Sequence, residues 1–433
     1  MSVSTKQQRI AELAKQSPRM SFTSLNHFID EEWLKEAYRR IKKGRSAGCS
    51  GETAAEYGEE LTDRVRTLID CAKSGSYFAP PVKRVYIPKG DGKEKRPIGI
   101  PETEDKVLQR GVVMVLEPIY EQDFLDCAYG FRPGRSAHQA LDAIWRELMG
   151  MGGGWVLDVD VRKFYDTLDH AHLRGFVRRR VGDGVILRLI GKWLKAGVME
   201  ESGLVYPEEG TPQGGVISPM LSNIYLHYVL DVWFEHEVKP LLGGEARLVR
   251  FADDFIIMFR CKDDALRVQK VLSKRFEKYG LTIHPEKTRL VEFLPPSKRG
   301  TNKSGTFDFL GFTHFWSLSR KGNWVVKRKT ARSRFQRALK RVGEWCKHHY
   351  HLKLQEQHKA LSLKLRGHYN YFGITGNSVA LREYWHQVRR LWRYWLNRRN
   401  RGNDMLWSRF LLLCERYVLP LPRAIHSVCP ANP

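Results

Sequence analysis

Two adjacent aspartates interrupt a run of residues that otherwise favours β-structure. Residues 248–259 read Leu-Val-Arg-Phe-Ala-Asp-Asp-Phe-Ile-Ile-Met-Phe, so β-branched and aromatic side chains flank Asp253 and Asp254 on both sides. This pattern predicts two strands joined by a tight hairpin turn. Aspartate is depleted in strands, and paired carboxylates on a rigid turn are suited to a hard cation such as Mg²⁺. On this segment alone, a polar hairpin tip explains the pattern equally well.

A second acidic segment has the pattern of a single strand. Residues 155–161 read Trp-Val-Leu-Asp-Val-Asp-Val, and this alternation predicts one apolar face with Asp158 and Asp160 on the other. If the strand lies beside the hairpin, Asp160, Asp253 and Asp254 could hold two Mg²⁺ ions about 3.5–4 Å apart, as phosphoryl-transfer sites do. Taken alone, Asp160 is more simply a solvated strand residue, so the prediction depends on the hairpin lying alongside.

The chain as a whole is strongly basic. Its 433 residues carry a formal net charge of +25, and 42% of them are hydrophobic, which is typical of a folded chain of two or three domains. The charge exceeds what solubility requires and indicates a polyanionic partner. An acidic membrane surface is the rival interpretation, but no apolar stretch is long enough to span a bilayer, and we expect no membrane partner.

Neither the first residues nor the cysteines indicate export. Residues 1–6 have no apolar signal-peptide core, and the seven cysteines include no Cys-x-x-Cys pair. The sequence therefore predicts neither a zinc ribbon nor a disulfide framework, and a reducing cytoplasm is the expected compartment.

Most of the excess charge lies in one segment. Residues 320–401 contain 22 Lys and Arg but only three acids. Its tryptophans recur at helical spacing, which is typical of a helical core. The arginines at 389, 390, 393, 398 and 399 have almost no acidic neighbour in sequence, so we expect them to contact a phosphate backbone. A solvated helix face is the simpler alternative.

Two further segments could contact phosphates. Residues 82–98 predict a β-hairpin turning near Asp91-Gly92, with Lys89, Lys93, Lys95 and Arg96 at its tip and flanks. A charged edge hairpin that prevents aggregation is an equally good interpretation. Residues 210–219 form a glycine-rich turn before a helix, and such a turn lets the backbone approach a ligand closely. Turns of this kind are common, so this second signal is weak by itself.

The order of these segments resembles a reverse transcriptase encoded by a group II intron, and the resemblance covers roughly residues 20–420. The motifs that carry it are the basic hairpin, Tyr-Gly-Phe-Arg-Pro-Gly-Arg-Ser at 129–136, the acidic strand, Thr-Pro-Gln-Gly-Gly at 211–215, Phe-Ala-Asp-Asp at 251–254, Gly-Leu-Thr-Ile-His-Pro-Glu-Lys-Thr at 280–288 and Phe-Leu-Gly-Phe at 309–312. The resemblance implies an α+β right-hand polymerase, with fingers and a palm built on an antiparallel sheet, followed by an α-helical thumb or maturase domain.

The resemblance also assigns roles to individual residues. Asp160, with Val161 beside it, and Asp253 and Asp254 match the catalytic positions that bind two Mg²⁺ ions. Asp158 lies outside the family pattern and is expected to be non-catalytic.

Six positions match the family's dNTP-binding residues, namely Lys89, Arg96, Tyr165, Gln213, Gly214 and Lys287. Lys89 and Arg96 would clamp the triphosphate. Tyr165 would close off the 2′-hydroxyl position and so select deoxynucleotides, although a core aromatic is the alternative. Gln213 and Gly214 would line the nucleotide and template pocket, and Lys287 has either a nucleotide-binding or a structural role.

The basic segment resembles the family's thumb, in which Leu365–Phe372 is the most recognisable piece. There the resemblance implies RNA binding, and the candidate residues are Arg366, Arg389, Arg390, Arg393, Arg398 and Arg399. One departure from the family pattern is Phe251, which stands where tyrosine is commoner. This difference should leave metal binding intact.

The sequence thus predicts an N-terminal extension with the start of the fingers at 1–80, fingers and palm at 81–315, a thumb or maturase domain at 316–401, and a short tail at 402–433 without an endonuclease. We expect an RNA-directed DNA polymerase of a mobile group II intron, in a bacterial cytoplasm, that also assists splicing. Its partners would be group II intron RNA, an RNA template with a DNA primer, a DNA target and dNTPs. The alternatives are a splicing-only maturase, or a related enzyme repurposed for DNA repair or phage defence.

Overall fold

The computed structural model describes residues 2–44, 46–89, 94–200, 203–206, 209–211, 214–296, 304–399 and 405–426, and for Lys89 and Glu94 only the backbone. The chain divides into two compact units. Unit 1 comprises residues 1–140 and 156–290, and unit 2 comprises residues 141–155 and 291–433. The two units are defined by how compactly their residues pack and not by function. The predicted functional boundaries at 80/81, 315/316 and 401/402 therefore stay predictions.

The first part of unit 1 is a helical layer packed around one long buried helix. Its helices are α1 Val3–Gln16, α2 Glu31–Arg40, α3 Ala54–Tyr57, α4 Leu61–Ser74 and α5 Thr103–Asp123. Val107, Val112 and Leu116 of α5 are fully buried, and Trp33 of α2 donates its indole N–H to the Gly111 carbonyl at 2.9 Å. A side chain at Gly111 would collide with Leu34, so glycine is what allows α2 to lie against α5.

A basic hairpin interrupts these helices, as the sequence predicts. Strands β1 Val82–Lys89 and β2 Glu94–Ile100 pair antiparallel from Lys83 opposite Ile100 to Lys89 opposite Glu94. The predicted tip at Asp91-Gly92 lies outside the described residues.

The next part of the chain forms a central sheet and a further series of helices. The chain continues through α6 Ala137–Met151, β3 Gly154–Val159, β4 Val161–Arg162, α7 His170–Arg178, α8 Gly184–Leu194, β5 Val198–Glu200, β6 Gly203–Val205, α9 Ser218–Leu226, β7 Ala246–Phe251, β8 Asp254–Phe259, α10 Lys262–Lys278, β9 Thr282–Ile283 and β10 Arg289–Phe293. The four-stranded sheets have the orders β2-β1-β5-β6 and β10-β3-β8-β7, and β4 pairs with β9. The division between the units falls inside α6, β3 and β10.

Helix α9 is buried along most of its length and continues into wider turns. Two π-helical segments follow it, His227–Asp231 and Phe234–Val238. Such i→i+5 turns shift the side chains of a helix relative to its regular spacing and are frequent at functional sites. Here the first of them contains Asp231, which is fully buried.

Unit 2 combines a small sheet with a helical bundle. Strands β11 Phe307–Phe309, β12 Phe312–Leu318 and β13 Trp324–Thr330 form an antiparallel sheet, and helices α11 Arg332–His349, α12 Leu354–Phe372, α13 Ser378–Asn397 and α14 Trp407–Arg416 follow. Leu361, Leu365, Val388 and Trp392 belong to the core that these helices enclose. The tryptophan indole N–H of Trp392 donates to the Gln357 side chain at 2.9 Å, which satisfies its one polar group.

Within the described parts of the chain, no helix combines the length and apolar character that crossing a bilayer requires.

Candidate active site

The two adjacent aspartates lie at a two-residue hairpin turn, as the sequence predicts. Phe251 at the end of β7 pairs with Asp254 at the start of β8, so Ala252 and Asp253 alone form the turn. Ala252 has a φ of +59°, a left-handed conformation that glycine usually occupies at the first central position of a type II′ turn. A non-glycine residue there carries conformational strain, so the surrounding structure must hold it in place.

A buried arginine supplies much of that support. Arg250 is fully buried, and its guanidinium donates to both carboxylate oxygens of Asp231, at 2.8 and 2.5 Å. A third nitrogen, Nη1, donates to the Asn223 side-chain oxygen at 2.9 Å and to the Ala252 carbonyl at 3.1 Å. Burial alone would lower the pKa of Arg250, but the Asp231 carboxylate raises it above its ordinary value. Arg250 is therefore a fixed cation, and its hydrogen bond to the Ala252 carbonyl holds the backbone of the turn.

The arginine-rich loop contacts the same turn from another direction. A side chain at Gly130 would lie 2.2 Å from the Ala252 nitrogen, so no larger residue fits. The Asn223 amide donates to the Gly130 carbonyl at 2.7 Å, and the Tyr129 N–H donates to the Arg250 carbonyl at 2.8 Å. The turn is thus enclosed by α9, β7 and the 129–136 loop.

Sequence reasoning missed the supporting residues Asp231, Asn223, Gly130 and Arg250. A signal was present for the last, because a charged residue stands between Val249 and an aromatic side chain in an otherwise apolar run. Asp231 gave no comparable signal, since its contact with Arg250 depends on the π-helical turn that follows α9.

The acidic strand lies beside the hairpin. β3 and β8 are neighbours in one sheet, so the condition placed on the prediction for Asp160 is met. The predicted single strand 155–161 is wrong in detail: β3 ends at Val159, and Val161 begins β4, where it pairs with Ile283. The prediction that only one face of this strand is buried is also wrong. Val156 and Leu157 point to opposite faces, and both are fully buried. β3 is a central strand with β10 and β8 on either side, and its burial pattern shows that both of its faces are covered.

Each acid of this segment faces a basic side chain from residues 287–289. The Lys287 ammonium lies 3.4 Å from a carboxylate oxygen of Asp160, with both side chains about half exposed. Arg289 lies 3.2 Å from Asp158. The His284 N–H donates to the Asp160 carbonyl at 2.8 Å, which fixes the backbone at this position. Asp160 is therefore accessible on a backbone that does not move freely.

Electrostatic interactions connect four of the predicted site residues. Burial raises the pKa of the Tyr165 hydroxyl to about 12, with Asp253 and Asp254 adding to the rise and Arg96 opposing it. The charges of the two aspartates and of Arg96 therefore act on the Tyr165 hydroxyl in opposite directions. Tyr165 lies in a short 3₁₀ turn, Phe164–Asp166, and is only partly buried. Its ring is thus available to a ligand as well as to the core.

The glycine-rich loop connects this tyrosine with the finger hairpin. The Thr211 N–H donates to the Tyr165 carbonyl at 2.7 Å, and a side chain at Gly210 would lie 2.7 Å from the same carbonyl. At its other end, a side chain at Gly214 would lie 2.5 Å from the Gly99 carbonyl of β2. Gln213 and the side chain of Lys89 lie outside the described residues, so their predicted roles stay predictions.

The donor set suits a hard divalent cation. Three aspartate carboxylates and the Val161 carbonyl are all oxygen ligands, which Mg²⁺ prefers. Reverse transcriptases generally use divalent metal ions. Among the described residues, no group of three or more His, Cys, Asp or Glu side chains is already arranged as a metal centre. Substrate phosphates usually complete magnesium sites of this kind.

The predicted RNA-binding arginines of unit 2 divide into two groups. Arg366, Arg390, Arg398 and Arg399 are exposed. The other two are partly buried between α13 and α14. The Arg389 guanidinium lies 4.5 Å from the Trp385 ring centre. The Arg393 guanidinium lies 4.3 Å from the Trp407 ring centre and donates to the Met405 carbonyl at 2.7 Å.

Comparisons of the sequence with known proteins show what this chain is similar to. Residues 87–314 match the family model described as reverse transcriptase (RNA-dependent DNA polymerase). The chain is 39% identical to protein YkfC of Escherichia coli K12, over 58% of this chain and 66% of that protein. It is 31% identical to the group II intron-encoded protein LtrA of Lactococcus lactis, over 67% of this chain and 58% of that protein. Nuclear intron maturase 2, mitochondrial, of Arabidopsis thaliana is 32% identical over 31% of this chain and 24% of that protein. The chain thus spans less than two thirds of each of these relatives.

Proposed function

This chain belongs to the reverse transcriptase (RNA-dependent DNA polymerase) family, and we propose that it copies an RNA template into DNA by adding dNTPs to a primer 3′-hydroxyl. The observation that carries the proposal is that Asp160 directly follows β3, while Asp253 in the hairpin turn and Asp254 at the start of β8 belong to the neighbouring strand pair. Together with Tyr165 and Arg96 they would make a site that is negative where the metal ions bind and basic toward the β1–β2 hairpin.

The proposed roles follow from the chemistry of each side chain. Asp160, Asp253, Asp254 and the Val161 carbonyl would hold two Mg²⁺ ions, which would activate the primer hydroxyl and stabilise the departing pyrophosphate. Arg96 on β2, with Lys89, would bind the triphosphate by charge-assisted hydrogen bonds.

The nucleotide itself would be held by the loop and the tyrosine. Gln213 and Gly214 would border the base and template. The Tyr165 ring would occupy the space that a ribose 2′-hydroxyl needs. Lys287 contacts Asp160, so it would balance the charge of that carboxylate until the substrate binds.

The test is primer extension on poly(rA)/oligo(dT) with Mg²⁺. Asp253→Asn should abolish DNA synthesis, since it removes a metal-binding charge with little change in shape, while RNA binding stays roughly unchanged. Asp158→Asn is the matched control, because Asp158 lies two residues from Asp160 and contacts Arg289. Full activity of Asp253→Asn, or equal loss in both variants, would refute the site.

We further propose that the protein binds a group II intron RNA through unit 2, assists its splicing, and acts on a DNA target in a bacterial cytoplasm. The exposed arginines of α12 and α13 and the similarity to an intron-encoded protein support this. Filter binding of a group II intron RNA and a splicing assay test it. A well-folded protein that promotes splicing but extends no primer would instead be a splicing-only maturase.

A further inference from the structure

Unit 1 has a groove of about 410 Å³ that includes none of the predicted catalytic or nucleotide-binding residues. It lies between the C-terminal end of α4, helices α7 and α8, and the end of β6. Its lining contains four cations and two aromatic side chains, namely Arg174, Arg188, Lys192, Lys195, Phe78 and Tyr206. No Asp or Glu is among the lining residues in the described part of the chain, although the exposed Glu209 follows Tyr206 by three positions.

Two of the cations are fixed in position. Arg188 donates to the carbonyls of Ala72 and Lys73 at 3.2 and 3.1 Å, at the end of α4. Lys192 donates to the Gly75 carbonyl at 2.7 Å. These carbonyls are only partial negative charges, so each side chain keeps a net positive charge. Arg188 and Lys192 are therefore fixed positive charges in the lining of the groove.

The other two cations remain available to a ligand. Arg174 and Lys195 are exposed, and neither makes an ion pair with any acid in the described ranges. Arg174 donates one hydrogen bond, to the His170 carbonyl at 3.2 Å, which leaves most of its guanidinium donors free for an acceptor from solvent.

Both aromatic side chains are unusually exposed for their type. Phe78 has 74% of its surface exposed and Tyr206 has 62%. The Tyr206 ring lies against Gly197, where a side chain would approach it to 3.1 Å. Gly197, directly before β5, thus leaves room for the side chains of both Tyr206 and Leu204. An exposed phenylalanine costs free energy in water, and two such rings beside four cations indicate a ligand that covers them.

From these features we infer that the groove binds a single-stranded polynucleotide. Cations that follow a phosphate backbone, together with aromatic rings on which bases stack, are what proteins use to bind single strands without sequence preference. The net charge of the chain favours the same class of partner. An acidic protein segment would use the cations but would not need two flat rings. This inference goes beyond the proposed polymerase activity and does not depend on it.

The first test measures binding of fluorescently labelled dT and U oligonucleotides of about twelve nucleotides by anisotropy. Each base stacked on an aromatic ring contributes about 1–3 kcal/mol, so Phe78→Ala and Tyr206→Ala should each weaken binding by about fivefold or more. Phe78→Tyr and Tyr206→Phe keep a ring and should bind as the parent does. A loss with both oligonucleotides, or with only one, supports the inference and tells which strand the groove prefers.

The second test removes charge. Arg174→Gln combined with Lys195→Gln should reduce the slope of log K against log salt concentration by about 1.4, since each single-strand phosphate contact contributes about 0.7. Lys270→Gln combined with Lys274→Gln is the matched control, because it removes two exposed cations from α10 and should leave the slope unchanged.

Photo-crosslinking then locates the bound strand. A 4-thiouridine oligonucleotide irradiated with the full chain should crosslink to peptides that contain Phe78 or Tyr206. Crosslinks found only elsewhere, unchanged affinity of both alanine variants, or an equal change of slope in the control pair would each overturn the inference. Circular dichroism of every variant confirms that binding is compared among folded proteins.

Discussion

Two sets of arginines, one in each unit, have different partners. In unit 1, Arg132 and Arg250 are buried, and each faces a carboxylate: Glu121 at 3.0 Å and Asp231 at 2.5 Å. In unit 2, the arginines of α13 contact aromatic rings and carbonyls, and none of them forms an ion pair with an acid in the described residues. One set of cations is neutralised inside the protein and the other is not.

The difference separates two uses of the same side chain. A buried guanidinium with a carboxylate partner fixes geometry, since its five donors can hold several backbone segments at once. An arginine without an internal counterion stays available to an external anion, and a phosphate backbone is such an anion. Arginine content alone therefore says little about nucleic-acid binding until the partners of each residue are known.

The largest expected effect follows from breaking the buried pair of unit 1. Arg250→Met leaves Asp231 buried and unpaired, which should lower the free energy of unfolding by about 3–5 kcal/mol. Thermal unfolding and primer extension measure the two consequences, and both stability and activity should be lost.

A double variant separates these consequences. Arg250→Met with Asp231→Leu replaces the pair by apolar groups, which often restores stability. Activity should remain low, because the Ala252 carbonyl loses its donor and the turn loses its support. Restored activity in the stable double variant would show that Arg250 contributes to folding alone.

The next effect concerns the exposed arginines of unit 2. Changing Arg366, Arg390, Arg398 and Arg399 together to glutamine should weaken RNA binding and reduce the salt slope by about 3, at about 0.7–0.9 for each phosphate contact. Stability should change little, since surface substitutions usually stay within about 0.5 kcal/mol each. Filter binding over a salt series checks the first expectation and denaturant unfolding the second. An unchanged slope would remove these residues from the RNA-binding surface.

A smaller effect is expected at acid pH, where the two units should differ in how much stability they lose. Burial lowers the pKa of His314 to about 3 and of His368 to about 4, both in unit 2. The unfolded chain then binds more protons below pH 6.5, so unit 2 should lose stability as the pH falls from about 6.5 toward 4. Each histidine contributes on the order of 2 kcal/mol at pH 5.

Unit 1 contains an opposing group. Burial lowers the pKa of His227 to about 4, but it raises the pKa of Asp105 to about 6. The Asp105 contribution has the reverse sign, since its folded state binds the extra proton between about pH 4 and 6. Hydrogen exchange at pH 7 and pH 5 should therefore show a larger loss of protection in unit 2. His368→Phe should reduce that loss, and an identical response of both units would contradict the assignment.

A local effect tests the partly buried arginines. Arg393→Gln removes a charged hydrogen bond to the Met405 carbonyl and a contact with Trp407, which together contribute about 2–3 kcal/mol. Proteolysis should then cleave residues 405–416 faster, because α14 is held less firmly. Arg390→Gln is the control, since Arg390 is exposed on the same helix and should leave the cleavage rate unchanged.

Local pattern was enough to predict much of the fold. The apolar runs around Asp253 and Asp254 predicted the β7–β8 hairpin, and the alternation at 155–159 predicted β3, because the period of a strand is visible in its sequence. The helical spacing of the tryptophans in α13 was equally clear. These elements bury the side chains that define their period.

The support of the site was not predictable in the same way. The contact of Arg250 with Asp231 depends on a π-helical turn and joins residues 19 positions apart, and no periodic pattern encodes it. The break at Asp160 was also hidden, because Val161 continues the alternation in sequence while pairing with a different strand. The division of the α13 arginines into exposed and partly buried groups required the position of α14, which follows them in the chain.

The lack of a side chain at residue 130 has a consequence for engineering. A side chain at this position would lie 2.2 Å from the Ala252 nitrogen. The 129–136 loop and the acidic turn must therefore have matching backbone shapes. Grafting either segment from a distant homologue by itself should distort the other, whereas exchanging both as a matched cassette should preserve the spacing of the carboxylates.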